Sequence, residues 1–226
     1  MKLLVLDTSY PHCFAALLLD RQCFEIYTDE GISHSDNLVE IINVLLNKHQ
    51  VKLNELDAIA VTQGPGSFTS VRLGIAVAQG LSLGANVPII SISTLAAFAQ
   101  SAFDQYAKSP ILVVNDARMG EVYWGAFEVH KHDIVMPMCS ESLSTPQDIS
   151  LNLRDIKVAI GSGFTVYPAL KNLLPDTCSI YPDIKIIPAS LCHLTQQAFA
   201  NKNFAGPAEC LPVYLRDKVA EKSLKP

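Results

Sequence analysis

The 226-residue sequence contains eleven glycines, and no two of them are adjacent. No loop can therefore offer two consecutive residues of bare backbone to a ligand. Neither GxGxxG nor GxxxxGK[ST] occurs, which removes the two common phosphate-binding fingerprints. The histidines, at positions 12, 34, 49, 130, 132 and 193, include no pair at i and i+4, so the helical zinc-protease pattern is absent. No GxSxG elbow is present, and Ser67 in GPGSF has no base identifiable beside it. None of the six cysteines forms a CxxC pair, which argues against a zinc ribbon or a thioredoxin motif and leaves free thiols.

Positive charge is also scarce. Seventeen Lys and Arg stand against twenty-two Asp and Glu, a net charge of −5, and the basic residues are scattered. A protein that grips RNA unaided shows a basic surface, because phosphate contacts dominate affinity. If RNA is involved, another protein does most of the holding. No apolar run approaches the ~18 residues of a membrane span. The apolar run between Lys2 and Asp7 is too short for a signal peptide, so the expectation is a cytoplasmic protein without membrane contact.

What remains is a chain rich in apolar residues, at 49%. Strands are predicted over 2–7, 13–19 and 22–28, with a tight turn at Asp20-Arg21, and over 58–62 and 87–92. Helices are predicted over 35–50, capped by Ser35 or Asp36, over a stretch ending near Gly84, and over 94–107. Near Ser109-Pro110 the pattern restarts. Strands are expected over 111–115, 121–129, 134–138 and 157–160, and helices over 146–151, 166–173 and 190–200. LLVLD at 3–7 echoes LVVND at 112–116, and AIAVTQGPG at 58–66 echoes KVAIGSG at 157–163. Such duplication fixes architecture. The fold class expected is α/β: two similar domains with mixed sheets, 1–107 and a smaller 108–226.

Three strands, helix, strand, glycine loop and helix, given twice, resemble the actin/hexokinase-like superfamily, also called the ASKHA or ribonuclease H-like fold. That resemblance makes Asp7, Gly64, Gly66 and Asp116 candidates for a nucleotide and magnesium site. The strand-end carboxylates would hold a hydrated cation, and the glycines would let N–H groups approach phosphate. Against this, Tyr10, Pro11 and His12 bring bulk where a cradle wants glycine, and the Gly-Gly loop that supports adenine in the superfamily is missing. Asp7 equally suits capping of local backbone donors. These residues are read as vestiges, with no metal site and no catalytic residue expected.

The stretch 71–84, VRLGIAVAQGLSLG, has Arg72, Gln79 and Ser82 as its only polar residues, inside a strip roughly 80° wide on a helical wheel. Ala76, Gly80 and Gly84 form a row of small residues at i, i+4 and i+8. In the preceding helix Leu38, Val39, Ile41, Ile42, Leu45 and Leu46 cover roughly 160°, where a core stripe needs about 100°, and Val44 sits apart. Either these helices bury each other against the sheet or their outer faces form a subunit contact. The contact residues expected are Leu38, Ile41, Ile42, Leu45, Arg72, Ala76, Gln79 and Gly80.

VLDTS at 5–9, HSDNL at 34–38, GPGSFTSVRLG at 64–74, AQGLSLG at 78–84, DARMGEVYW at 116–124 and PVYLRDKVA at 212–220 together resemble the bacterial TsaB family, also called YeaZ. The resemblance implies a part in making N6-threonylcarbamoyladenosine in tRNAs that read codons beginning with A. It implies a non-catalytic subunit that pairs with a TsaD-like paralogue, the threonylcarbamoyltransferase, alongside a TsaE-like ATPase. Self-association through the same helices, ATP or ADP at the junction with the partner, and only indirect contact with tRNA are further implications. A glycoprotease-like activity does not carry over without the histidine pair. Ser70 stands where the family usually has Gly, and Asp36 where it often has Glu. The alternative from the fold alone is a small ATP-binding kinase or ATPase.

Overall fold

The computed structural model describes residues 1–9, 13–28 and 34–216, with the side chains of 34–37 left aside. Tyr10, Pro11, His12 and the last four residues of PVYLRDKVA lie outside that description; Ser35 and Asp36, expected as caps, lie inside the helix His34–Lys48, so neither is its N-cap.

Five apolar runs form the first sheet: β1 (Lys2–Asp7), β2 (Phe14–Leu19), β3 (Gln22–Tyr27), β4 (Ala58–Thr62) and β5 (Ile89–Ile92). The order is β3-β2-β1-β4-β5. The hairpin strands pair antiparallel and the crossover strands parallel, so β1 has Val5 opposite Ala16 on one side and Ala60 on the other. β1 and β4 are buried on both faces, which explains why they read as continuous apolar runs. β3 mixes exposed and half-buried positions, as an edge strand does.

Strand alternation sends the two sets of side chains to two different cores. Leu4, Leu6, Ile59 and Val61 meet α1 (His34–Lys48) and α2 (Phe68–Ala85). Leu3, Val5, Ala58 and Ala60 face the middle of the molecule. There the halves exchange helices. α3 (Thr94–Tyr106) follows the first sheet in sequence but packs on the second, while α5 (Pro188–Ala200) returns to cover the first. The two helices pack on each other, so one apolar core runs from sheet to sheet. Packing therefore does not stop at the 107/108 junction.

The second sheet holds β6 (Ile111–Arg118), β7 (Glu121–Val129), β8 (Val135–Pro137), β10 (Val158–Ile160) and β11 (Ser179–Tyr181) in the order β11-β10-β6-β7-β8. β9 (Ser142–Ser144) pairs with the other end of β7. Both sheets are mixed, the fold class is α/β, and β3-β2-β1-β4-β5 in the first sheet is matched by β8-β7-β6-β10-β11 in the second. The helix expected over 166–173 is instead a short α4 (Gly163–Val166) and a 3-10 turn Pro168–Leu173. Pro168 lacks an N–H and pushes Tyr167 out of helical geometry, to φ −123° and ψ 75°. The helix expected over 146–151 is one 3-10 turn, Pro146–Asp148.

The start of α3 is tied to the second half by one carboxyl. Ser93 caps the helix by accepting from the Ala96 N–H at 3.1 Å, and its hydroxyl donates to Glu141. Burial raises the Glu141 carboxyl above its ordinary value, against a smaller opposing pull from the Ser93 hydroxyl. The folded chain thus favours the protonated form. That contribution is fully present below the unfolded value and is lost as pH rises through the raised one. Glu141→Gln, a neutral mimic, should therefore gain stability relative to the natural chain between pH 4 and pH 7. Thermal melts of both proteins across that range check it, and a constant difference would refute the assignment.

Candidate functional site

The ends of β1 and β4 bring the first candidates together. Asp7 is 2% exposed, and its Oδ1 accepts from the Ser9 N–H at 3.1 Å, the Ser9 hydroxyl at 2.6 Å and the Thr62 hydroxyl at 2.6 Å. Thr8 donates its hydroxyl to the Ser70 carbonyl at 2.6 Å, which fastens the β1 end to the first turn of α2. The glycine loop is equally engaged. Gly64, at φ +97°, donates its N–H to the Thr94 hydroxyl at 3.1 Å, and its carbonyl accepts from the Thr94 N–H at 2.9 Å. Gly66 lies against Ser9, whose carbonyl would stand 3.4 Å from an added Cβ.

The second half repeats the device. Asp116 Oδ1 accepts from the Arg118 N–H at 3.0 Å and the Tyr167 hydroxyl at 3.2 Å, and the Arg118 guanidinium lies 3.4 Å from Oδ2. The Ser162 hydroxyl accepts from the Asp116 N–H at 3.0 Å. Desolvation and the Asp116 charge raise the Tyr167 phenol, so it remains a donor. Asp7, Gly64, Gly66 and Asp116 thus act as structural ties between strand ends, loops and helix starts. Among the described residues, no group of three or more His, Cys, Asp or Glu is arranged to hold a metal ion.

The helices give a different picture. Leu38, Ile41, Ile42 and Leu45, expected as contact residues, are at most 9% exposed and sit in the core against the first sheet. They are corrected to core positions: the sheet takes this stripe because it is the most apolar side of α1. Among its described side chains, α1 shows outward Val39, Glu40, Asn43, Val44, Asn47 and Lys48. Gln79 is also corrected. It is half-buried, and its amide donates to the carbonyls of Pro207 at 2.8 Å and Cys210 at 3.0 Å. Arg72, Ala76 and Gly80 are exposed. With Thr69, Leu83 and Gly84 they form an outward arc of roughly 120° on α2, in which Leu83 is 72% exposed. A Cβ added at Gly80 or Gly84 would meet nothing within 4 Å.

Arg72 and Gln79 of the polar strip of α2 are turned toward the chain's own C-terminal strap, residues 205–216. The strap joins the edge of the first sheet through paired hydrogen bonds between Ala205 and Ile89 at 2.8 and 3.0 Å. Cys210 is buried in the α1/α2 core, and the Val213 N–H reaches the Gln63 carbonyl at 2.9 Å. Tyr214 accepts from Arg72 Nε at 2.7 Å, and the guanidinium stacks on Phe68 at 3.2 Å. Arg216 then bridges to the β6–β7 turn, bonding the Ala117 and Arg118 carbonyls and pairing with Glu121 at 2.6 Å. Sequence reasoning missed the strap because its bonds to α2 come from residues about 130 positions earlier.

Residues 30–174 match the model of the family described as TsaD: tRNA N6-adenosine threonylcarbamoyltransferase. Two curated relatives, from Escherichia coli (strain K12) and Haemophilus influenzae, are each 32% identical and carry the name tRNA threonylcarbamoyladenosine biosynthesis protein TsaB. The alignments cover 99% of this chain and 98% and 97% of those proteins. The chain belongs to the TsaB family. A solved structure, described as an uncharacterized protein with similarity to peptidase YEAZ from Pseudomonas aeruginosa, superposes with a TM-score of 0.86 at 30% identity. It covers 95% of this chain and 99% of that one. The loop GPGSFT bonds Thr94 through Gly64, and Gln63 just before it holds the strap through Val213. Ser70, at its end, serves through its carbonyl to Thr8 and a hydroxyl bond to Ser67 at 3.2 Å.

Proposed function

We propose that this chain is the non-catalytic partner that binds and activates a TsaD-like threonylcarbamoyltransferase in forming N6-threonylcarbamoyladenosine in tRNA. The observation that carries the reading is the outward arc of α2. Ala76, Gly80 and Gly84 bring almost no side chain, and Leu83 stands 72% exposed among them, with exposed Val39 and Val44 on α1. A second pair of helices can approach such a backbone closely and cover the leucine. The same face serves self-association. The name of the TsaB relatives supports the pathway. Strand-end carboxylates already bonded to protein donors support a role without chemistry of its own. The net charge of −5 supports leaving tRNA chiefly to other subunits, among them a TsaE-like ATPase, with ATP or ADP at the junction between partners.

The test is omission. A reaction reconstituted from the TsaD-like partner, the TsaE-like ATPase, threonylcarbamoyl-adenylate and tRNA is scored by nucleoside mass spectrometry. Modified adenosine is expected to fall at least tenfold when this chain is left out. Undiminished modification without it overturns the reading.

A further inference from the structure

Cys23 lies on the edge strand β3 and Cys192 on α5, 169 residues further along the chain, yet their sulfurs are 3.2 Å apart. Cys192 is 2% exposed, whereas Cys23 is partly open to solvent. The other cysteines are placed differently. Cys13 and Cys210 are buried, Cys210 accepts a bond from Ser91, and Cys178 donates to a backbone carbonyl. We propose that Cys23 and Cys192 form a dithiol that a hydroperoxide closes to an intramolecular disulfide. The bond staples the edge of the first sheet to the helix supplied by the second half of the chain.

Electrons and atoms balance with one equivalent of oxidant. The Cys23 thiolate attacks a peroxide oxygen, the O–O bond breaks, and Cys23 becomes a sulfenic acid with release of water or an alcohol. Cys192 sulfur then attacks the Cys23 sulfur, the S–O bond breaks, and the thiol proton leaves with hydroxide as water. Two thiols lose two electrons to one peroxide. The asymmetry of the pair suits these roles. The hydrogen bond between the two sulfurs holds Cys23 below the ordinary thiol value, while the same bond and burial push Cys192 up. A disulfide needs its sulfurs at ~2.05 Å, so closure asks for an approach of roughly 1 Å. β3 is bonded to the sheet along one side, by β2, and can supply that movement.

The experiment treats the reduced full-length chain with hydrogen peroxide, followed by thiol titration and non-reducing peptide mapping. Two of the six thiols should disappear, and the peptides carrying Cys23 and Cys192 should be recovered linked. The linked form should melt higher by on the order of 5–10 °C, and dithiothreitol should reverse the gain. Cys23→Ser should retain all its remaining thiols under the same dose. Six surviving thiols, a link between any other pair, or a linked form that melts no higher than the reduced chain overturns the proposal. The mapping on the natural chain needs no variant to fold. It is independent of the partner, because the pair lies on the face of the first sheet that α5 covers, away from α1 and α2.

Discussion

Replacing Ala76 with glutamate should leave the chain folded and abolish its pairing with a TsaD-like partner. Ala76 points outward at the centre of the α2 arc, between Arg72 and Gly80, so the new side chain finds water in the monomer. The melting temperature should move by no more than about 2 °C, the range of ordinary surface substitutions in a chain of this size. In a docked state the carboxylate would enter a seam built for close backbone approach. An unpaired charge taken out of water there costs on the order of 3–5 kcal/mol. At about 1.4 kcal/mol per tenfold, affinity falls by roughly a hundredfold or more. Co-purification and nucleoside mass spectrometry read both effects. A folded Ala76→Glu protein that still binds and still supports modification would remove α2 from the interface. Ile42→Asp makes the contrast. Ile42 is 1% exposed inside the α1/α2 core, so a carboxylate there should unfold the monomer and carry no information about docking.

That contrast shows where the sequence was legible. The stripe of Leu38, Ile41, Ile42, Leu45 and Leu46 was visible as too apolar for a surface, but the wheel does not say which side meets the sheet. The side with the larger aliphatic residues packs inward because it buries more area. Val44, noted as standing apart, proved to be among the residues left outside. On α2 the reasoning misjudged the polar residues. Arg72 and Gln79 were expected at the subunit contact, yet both hold the strap, Arg72 from an exposed position and Gln79 half-buried, while Ser82 is buried and bonded to the Val87 carbonyl at 2.5 Å. Local periodicity reports where polar groups stand, not whether water or a distant carbonyl satisfies them. The first sheet was almost fully readable, since its strands are long apolar runs with clear turns. β9 and β11 escaped because each is three residues long and half-buried, and pairing with β7 and β10 makes them strands. The exchange of α3 and α5 between sheets was equally hidden. Ala97 through Ala102 of α3 are all buried, between the second sheet and α5, and the sequence does not say which sheet covers such a helix.

Gly161→Ala should lower stability more than any other small substitution in the glycine loops, and should leave the α2 face untouched. The residue sits at φ +107°, where an L side chain is strained. An added Cβ would also stand 2.4 Å from the Val114 carbonyl oxygen and 2.4 Å from Asn115 Oδ1, inside any tolerable contact. Neither neighbour can withdraw cheaply. β10 is held in parallel register against β6 with Ile160 beside Val113, and the Ser162 N–H already bonds Asn115 Oδ1 at 3.3 Å. Relief therefore requires the loop to lift from β6, which also pulls Ser162 from the Asp116 N–H. Strain and lost bonds together cost on the order of 3–4 kcal/mol. For a chain of this length that corresponds to a fall of roughly 6–16 °C in Tm. Gly120→Ala separates the two causes. Gly120 has φ +79°, but nothing lies within 4 Å of its Cβ position, so the backbone strain acts alone and the loss should stay near ~1 kcal/mol. Thermal melts of the three proteins measure the ladder. Equal melting of the Gly161 and Gly120 variants would show that the contact with β6 yields easily. A destabilised Gly161→Ala protein that still pairs with the partner below its melting point would separate what this loop does from what α2 does.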